Sequence, residues 1–99
     1  MEKDFYYIEL FEIYGGLLTE NQKDAFYSHY CLDLSLAEIA EDKGLGRQSV
    51  FDTIKNAKTK LDEYERVLKL REKFKKLKKL AEAATEEKLA AEIISVIGE

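Results

Sequence analysis

The chain has 99 residues, 45% of them apolar and 36% charged, with no proline or tryptophan. That length suits one domain, and the apolar share is too high for a disordered chain. Cys31 is the single cysteine and His29 the single histidine, so neither a disulfide framework nor a zinc knuckle is expected, and no cofactor or metal is called for.

The spacing predicts five helices. The first covers about residues 4–14, with Phe5, Ile8 and then Phe11 or Glu12 at a spacing of three to four, and Gly15-Gly16 stops it. Thr19 and Gln22 read as a capping box that opens the second helix, whose apolar residues are Ala25, Phe26, Tyr30 and Cys31. Ser35 and Glu38 repeat the device for the third helix, with Leu36, Ile39 and Ala40 as its buried stripe. Lys43-Gly44-Leu45-Gly46 is a turn. Gly44 takes a left-handed backbone cheaply there, and Leu45 is expected to plug the gap between the flanking helices.

A fourth helix starts near Arg47. Val50, Ile54, Ala57, Leu61, Tyr64 and Leu68 form its inward stripe, which then shifts phase to Val67, Leu70, Phe74, Leu77, Ala81 and Ala84. No glycine or proline interrupts residues 47–84, which leaves one long helix or two with a bend near residues 64–70. Thr85 is placed to cap a last helix, with Glu86 and Glu87 in its first turn. Leu89, Ala90, Ile93, Ile94 and Ile97 make that helix amphipathic, and Gly98 ends it.

The expected architecture is therefore all-α: a helix-turn-helix bundle with a long fourth helix and a C-terminal helix. Residues 1–99 form a single domain, with 19–61 as its helix-turn-helix core and 66–97 as a basic helix plus an amphipathic one. No apolar run approaches the ~20 residues of a membrane span, and Met1-Glu2-Lys3-Asp4 does not open a secretory signal. A cytoplasmic protein without membrane insertion is the expectation.

Charge is unevenly spread. The net is −4, yet residues 66–80 carry eight basic side chains against Glu72 alone, while residues 1–45 carry three basic and ten acidic ones. An enzyme is not expected, since the chain lacks a nucleophile elbow, a phosphate loop and a paired Cys/His set.

Three stretches carry a resemblance. They are Leu17-Leu18-Thr19-Glu20-Asn21-Gln22, Asp33-Leu34-Ser35-Leu36-Ala37-Glu38-Ile39-Ala40-Glu41, and Gly46-Arg47-Gln48-Ser49-Val50-Phe51-Asp52-Thr53-Ile54-Lys55. Over residues 5–70 the chain resembles the YlxM-type family of small bacterial helix-turn-helix proteins, similar to region 4 of sigma factors and in that sense winged-helix-like. The resemblance implies a regulatory protein linked to the signal recognition particle pathway, because the family's genes neighbour those of the particle's protein and its receptor.

A module of this kind uses its first helix as a brace and sets the N-terminal residues of the second in the major groove. The residues so presented are Arg47, Gln48 and Ser49, then Asp52, Thr53 and Asn56 one turn on, with Lys55 and Lys58 available to phosphates. Arg47 stands at a helix start, where a phosphate also meets the helix dipole.

Two positions depart from the sigma pattern. Gly46 stands where a Ser or Thr cap is usual, and Phe51-Asp52 where a base and a small polar residue are usual. A carboxylate among phosphates is repelled unless it accepts from a cytosine amine. The Phe51 phenyl could touch a thymine methyl, stack on an unpaired base, or anchor a protein partner.

Lys73, Lys75, Lys76 and Lys79 form a possible basic arm for RNA or phosphate, although such a run is more often a solvated face. Tyr6, Tyr7 and Tyr14 read as packing against the long helix or in a dimer seam rather than as base-stacking groups. The expected partner is duplex DNA; the alternative is the particle's protein or RNA. The apolar face of the last helix points to a two-fold homodimer, with helices one, four and five sharing the seam; the alternative is that this helix folds back antiparallel on Phe74 and Leu77 within one chain.

Overall fold

The computed structural model describes residues 4–83 and 86–98. Among them are six α-helices and no strand, so the described module carries no β-wing. The helices are α1 (Phe5–Tyr14), α2 (Glu20–Phe26), α3 (Leu36–Lys43), α4 (Arg47–Leu68), α5 (Leu70–Ala83) and α6 (Glu86–Ile97). The chain divides into two compact units, residues 1–67 and 68–99.

Both capping boxes form. Gln22 N–H donates to Thr19 Oγ1 at 3.2 Å, and Thr19 N–H donates back to Gln22 Oε1 at 3.1 Å. Ser35 and Glu38 repeat this at 3.1 and 3.0 Å. Each box satisfies two backbone N–H groups that a helix start otherwise leaves without partners.

The boxes differ in the residue that reaches back, a neutral Gln22 against an ionisable Glu38. The Ser35 backbone N–H, with the Ser35 hydroxyl second, holds the Glu38 carboxyl below its ordinary 4.5. A carboxyl depressed on folding adds stability above its unfolded pKa, and loses it as pH falls through the folded one. We expect Glu38→Gln to lower the melting temperature at about pH 7 and to lose that effect as pH falls through the folded pKa of Glu38, where the wild-type carboxyl becomes neutral. Thermal melts of both proteins across that range check this.

The α3–α4 turn closes through Gly44, whose φ of +68° is left-handed. Leu45 N–H reaches back to the Ala40 carbonyl at 2.9 Å, the six-to-one bond of a Schellman ending. That geometry sends the Leu45 side chain outward, 49% exposed, so it does not plug the gap between the helices. The gap is filled by Ile39, Ala40, Val50 and Ile54 with Ala25, and Tyr30, Leu34 and Leu36 pack against them.

Val50, Ile54, Ala57 and Leu61 of α4 are buried as their spacing predicts and Tyr64 is half-buried, whereas Leu68, assigned to the same stripe, is exposed. In α1 the buried residues are Leu10 and Tyr14, while Phe5, expected inward, is 68% exposed. Apolar side chains surround α1 almost completely, so spacing alone did not select its inner face. Tyr14 OH donates to Glu65 at 2.7 Å, Tyr7 OH to Asp62 at 2.8 Å, and Tyr64 OH to the Leu17 carbonyl at 3.3 Å. These phenols bind the N-terminal segment to α4, which is the packing role expected for Tyr7 and Tyr14. Lys43 pairs with Asp24, tying the end of α3 to α2.

After Phe26 the helix widens into a π turn over Tyr27–Cys31, with Leu32 N–H bonded to the Tyr27 carbonyl. The turn runs out at Asp33, which takes a left-handed φ of 59°. His29 Nδ1 lies 2.8 Å from the Leu34 carbonyl; a carbonyl only accepts, so that nitrogen carries the proton.

The long helix expected over residues 47–84 is two helices. Lys69 adopts a left-handed φ of 54° and separates α4 from α5. The break falls inside the segment where a bend was one of the two options. Val67 and Phe74, assigned to the shifted stripe, are exposed, whereas Leu70, Leu77 and Leu80 are half-buried.

In the second unit α5 and α6 pack on each other. Val96 is buried in α6, and Ile94 and Ile97, expected inward, are each 71% exposed. The Thr85 cap, Ala84 and the Leu89 side chain lie outside the described residues. No helix among the described residues is long and apolar enough to cross a membrane.

Candidate nucleic-acid interface

The inward stripe of α4 fixes which residues it turns outward. With Val50, Ile54, Ala57 and Leu61 in the core, the opposite face presents Gln48, Ser49, Asp52, Lys55 and Asn56, all exposed. These five of the sequence-derived residues share one surface, and Arg47, in line with the Val50–Ile54 stripe, is exposed at the helix start. The α3 brace and the left-handed Gly44 set where that end stands.

The other two lie on the flanks. Thr53 is half-buried and its hydroxyl donates to the Ser49 carbonyl at 2.9 Å, so the helix already uses its hydrogen. Lys58 is half-buried, with its ammonium 4.6 Å from the centroid of the Tyr7 ring and 5.6 Å from that of Tyr30. A cation above an aromatic face is held by the ring quadrupole. Lys58 therefore serves the protein's own rings before it serves a phosphate.

On the outward face, Gln48 Nε2 donates to Asp52 Oδ1 at 3.0 Å. The pair sits one turn apart and orients the Gln48 amide. It also gives Asp52, the residue least suited to a polyanion, a local partner. Of the basic-arm residues, Lys75, Lys76 and Lys79 are exposed on α5, and Lys73 is half-buried.

Sequence reasoning missed a groove beside this face. Its volume is about 340 Å³, and Tyr7, His29, Tyr30, Leu36, Phe51, Lys55, Lys58 and Asp62 are among its lining residues. The π turn is what delivers His29 and Tyr30 to it, and π turns recur at functional sites. Behind Tyr30 runs a column of near-parallel rings. Phe11 stacks on Phe26 at 4.7 Å and 20°, and Phe26 on Tyr30 at 4.6 Å and 23°. At the far side, loss of solvent pushes the Tyr7 phenol up to about 12, and the neighbouring Asp62 carboxylate adds to the shift. Tyr7 thus stays a hydrogen donor throughout the physiological range. No signal in the sequence marks the groove, because its walls come from four separate segments.

Among the described residues no group of three or more His, Cys, Asp or Glu side chains is arranged to hold a metal ion.

A family signature described as "UPF0122: Putative helix-turn-helix protein, YlxM / p13 like" matches residues 1–97. The chain belongs to the UPF0122 family. Similar UPF0122 proteins include YlxM of Bacillus subtilis, 39% identical over 95 residues, covering 89% of this chain and 86% of that protein. A UPF0122 protein of Halalkalibacterium halodurans is 39% identical over 92 residues, covering 89% and 84%. One from Thermoanaerobacter sp. is 36% identical over 107 aligned positions, covering 100% and 92%. The UPF0122 match spans both units, and its helix-turn-helix description agrees with the α3–turn–α4 geometry.

Proposed function

We propose that this UPF0122 chain is a DNA-binding regulatory protein that sets the first turns of α4 in the major groove and takes part in the signal recognition particle pathway. The observation that carries the reading is the division of α4. One stripe is locked in the core by Val50, Ile54, Ala57 and Leu61, Gln48, Ser49, Asp52, Lys55 and Asn56 stand exposed together on the other side, and Arg47 is exposed at the helix start. Arg47 and Lys55 neutralise phosphates. Gln48 reads an adenine edge through its amide once a base replaces Asp52 as its partner. The pathway assignment rests on the family resemblance alone.

A second reading has its own observation. The helix α5 exposes Lys75, Lys76, Lys78 and Lys79, a dense basic surface suited to RNA phosphates. On that reading the chain is an accessory of the particle, bound to its RNA or protein without reading DNA sequence.

Amide NMR mapping separates the two. Titrating duplex DNA into labelled protein is expected to shift the amides of residues 47–56 most. Shifts confined to residues 70–83, with α4 silent, would overturn the regulator reading in favour of the basic helix.

A further inference from the structure

The groove beside α4 has a composition that the duplex-reading face does not explain. Its walls offer the Tyr30 ring, the Phe51 ring (47% exposed) and the ammonium groups of Lys55 and Lys58. Tyr30 is the last ring of the Phe11–Phe26–Tyr30 column. The Lys58 ammonium stands over that ring, 5.6 Å from its centroid, so a planar ring that completes the stack displaces the ammonium toward an anion attached to the incoming ring. Bases stack on aromatic side chains whatever their identity, because each has a π face.

Two cations at the same groove favour an anion attached to that ring. Lys55 lies on both the exposed α4 face and the groove wall, so a strand whose backbone reaches α4 also reaches the groove. The Asp62 carboxylate accepts from Tyr7 and places a second acceptor oxygen near the groove, where an exocyclic amine can donate.

From these features the geometry points to a binding site for one unpaired nucleotide of a nucleic-acid strand, its base stacked between Tyr30 and Phe51 and its phosphate held by Lys55 and Lys58. The inference rests on the nucleic-acid reading above and adds a preference to it: a duplex with an extruded base should bind more tightly than a fully paired one. Stacking of one base on an aromatic group is commonly worth a factor of about ten or more in affinity.

The test uses the full chain and two DNA duplexes of one sequence. One is fully paired, and the other carries a single unpaired 2-aminopurine nucleotide, whose fluorescence is quenched on stacking. The bulged duplex is expected to bind about tenfold more tightly, with quenching on binding. In Phe51→Ala the ratio of the two affinities should fall to about one and the quenching should be lost. Tyr30→Leu, checked by circular dichroism for an intact fold, should lower the same ratio; because a ratio is read, general weakening does not imitate the effect.

Binding of both duplexes without preference would overturn the groove assignment and leave the DNA-binding reading standing. A preference that survives Phe51→Ala would also overturn it. Binding of the bulged duplex alone, through Phe51, would support the groove while overturning the duplex-reading face. Displacement of the bulged strand by equimolar adenosine monophosphate would overturn the strand as the source of the nucleotide. Binding of neither duplex would overturn both readings.

Discussion

Truncating Phe26 to alanine is expected to cost about 3–5 kcal/mol of folding free energy, the largest loss for any single substitution proposed for this chain. Phe26 is fully buried, and both faces of its ring are covered by Phe11 and Tyr30. Removing the ring leaves a cavity between α1 and the π turn and deletes two stacked contacts together. Small domains hold only about 5–15 kcal/mol in total, so the variant should be close to unfolding at physiological temperature. Phe26→Leu keeps most of the volume and loses the stacking, at about 0.5–1.5 kcal/mol for each aromatic pair. Urea denaturation followed by circular dichroism measures both. A Phe26→Ala cost below about 1 kcal/mol would mean that the surroundings collapse onto the gap and that the ring column is not structural.

The second large effect concerns binding. Replacing Arg47 and Gln48 together by alanine should weaken duplex DNA binding by about tenfold to a hundredfold. A good bidentate base contact is worth about 1–3 kcal/mol of discrimination, and a phosphate contact is lost in addition. Both residues are exposed in the first turn of α4, so stability should change little. Specificity should fall along with affinity. Gln48 acts only after its amide leaves Asp52, so Asp52→Asn, which keeps an acceptor and removes the charge, should tighten DNA binding modestly rather than weaken it.

The local devices were legible in the sequence. Thr19 with Gln22, Ser35 with Glu38 and Gly44 each work through atoms within five residues, so composition and spacing reveal them. The α4 stripe was legible because Val50, Ile54, Ala57 and Leu61 alternate by three and four against polar neighbours. The exposed face of α4 follows from that stripe by elimination.

What escaped depends on other segments. The α1 segment is apolar nearly all round, and only the partners Asp62 and Glu65 show which tyrosines face α4. Leu45 looked like a plug because it is apolar beside a glycine, but the Schellman bond to Ala40 fixes its direction. The π turn adds a residue without any glycine or proline to announce it. Lys69 breaks the helix in a conformation that glycine or asparagine normally marks. The groove depends on α1 and the π turn among these, since Tyr7, Tyr30 and Phe51 meet only after α1, the π turn and α4 have packed.

The most direct test of the central claim, that the N-terminal face of α4 engages DNA, is a fluorescence-anisotropy titration of paired duplex DNA at several salt concentrations, run on the wild type and on the Arg47→Ala, Gln48→Ala variant. Salt-dependent binding by the wild type is expected. The double variant should bind more weakly, with the slope of log affinity against log salt smaller by about one, the share of a single phosphate contact. Equal affinities and equal slopes for the two proteins would contradict that claim.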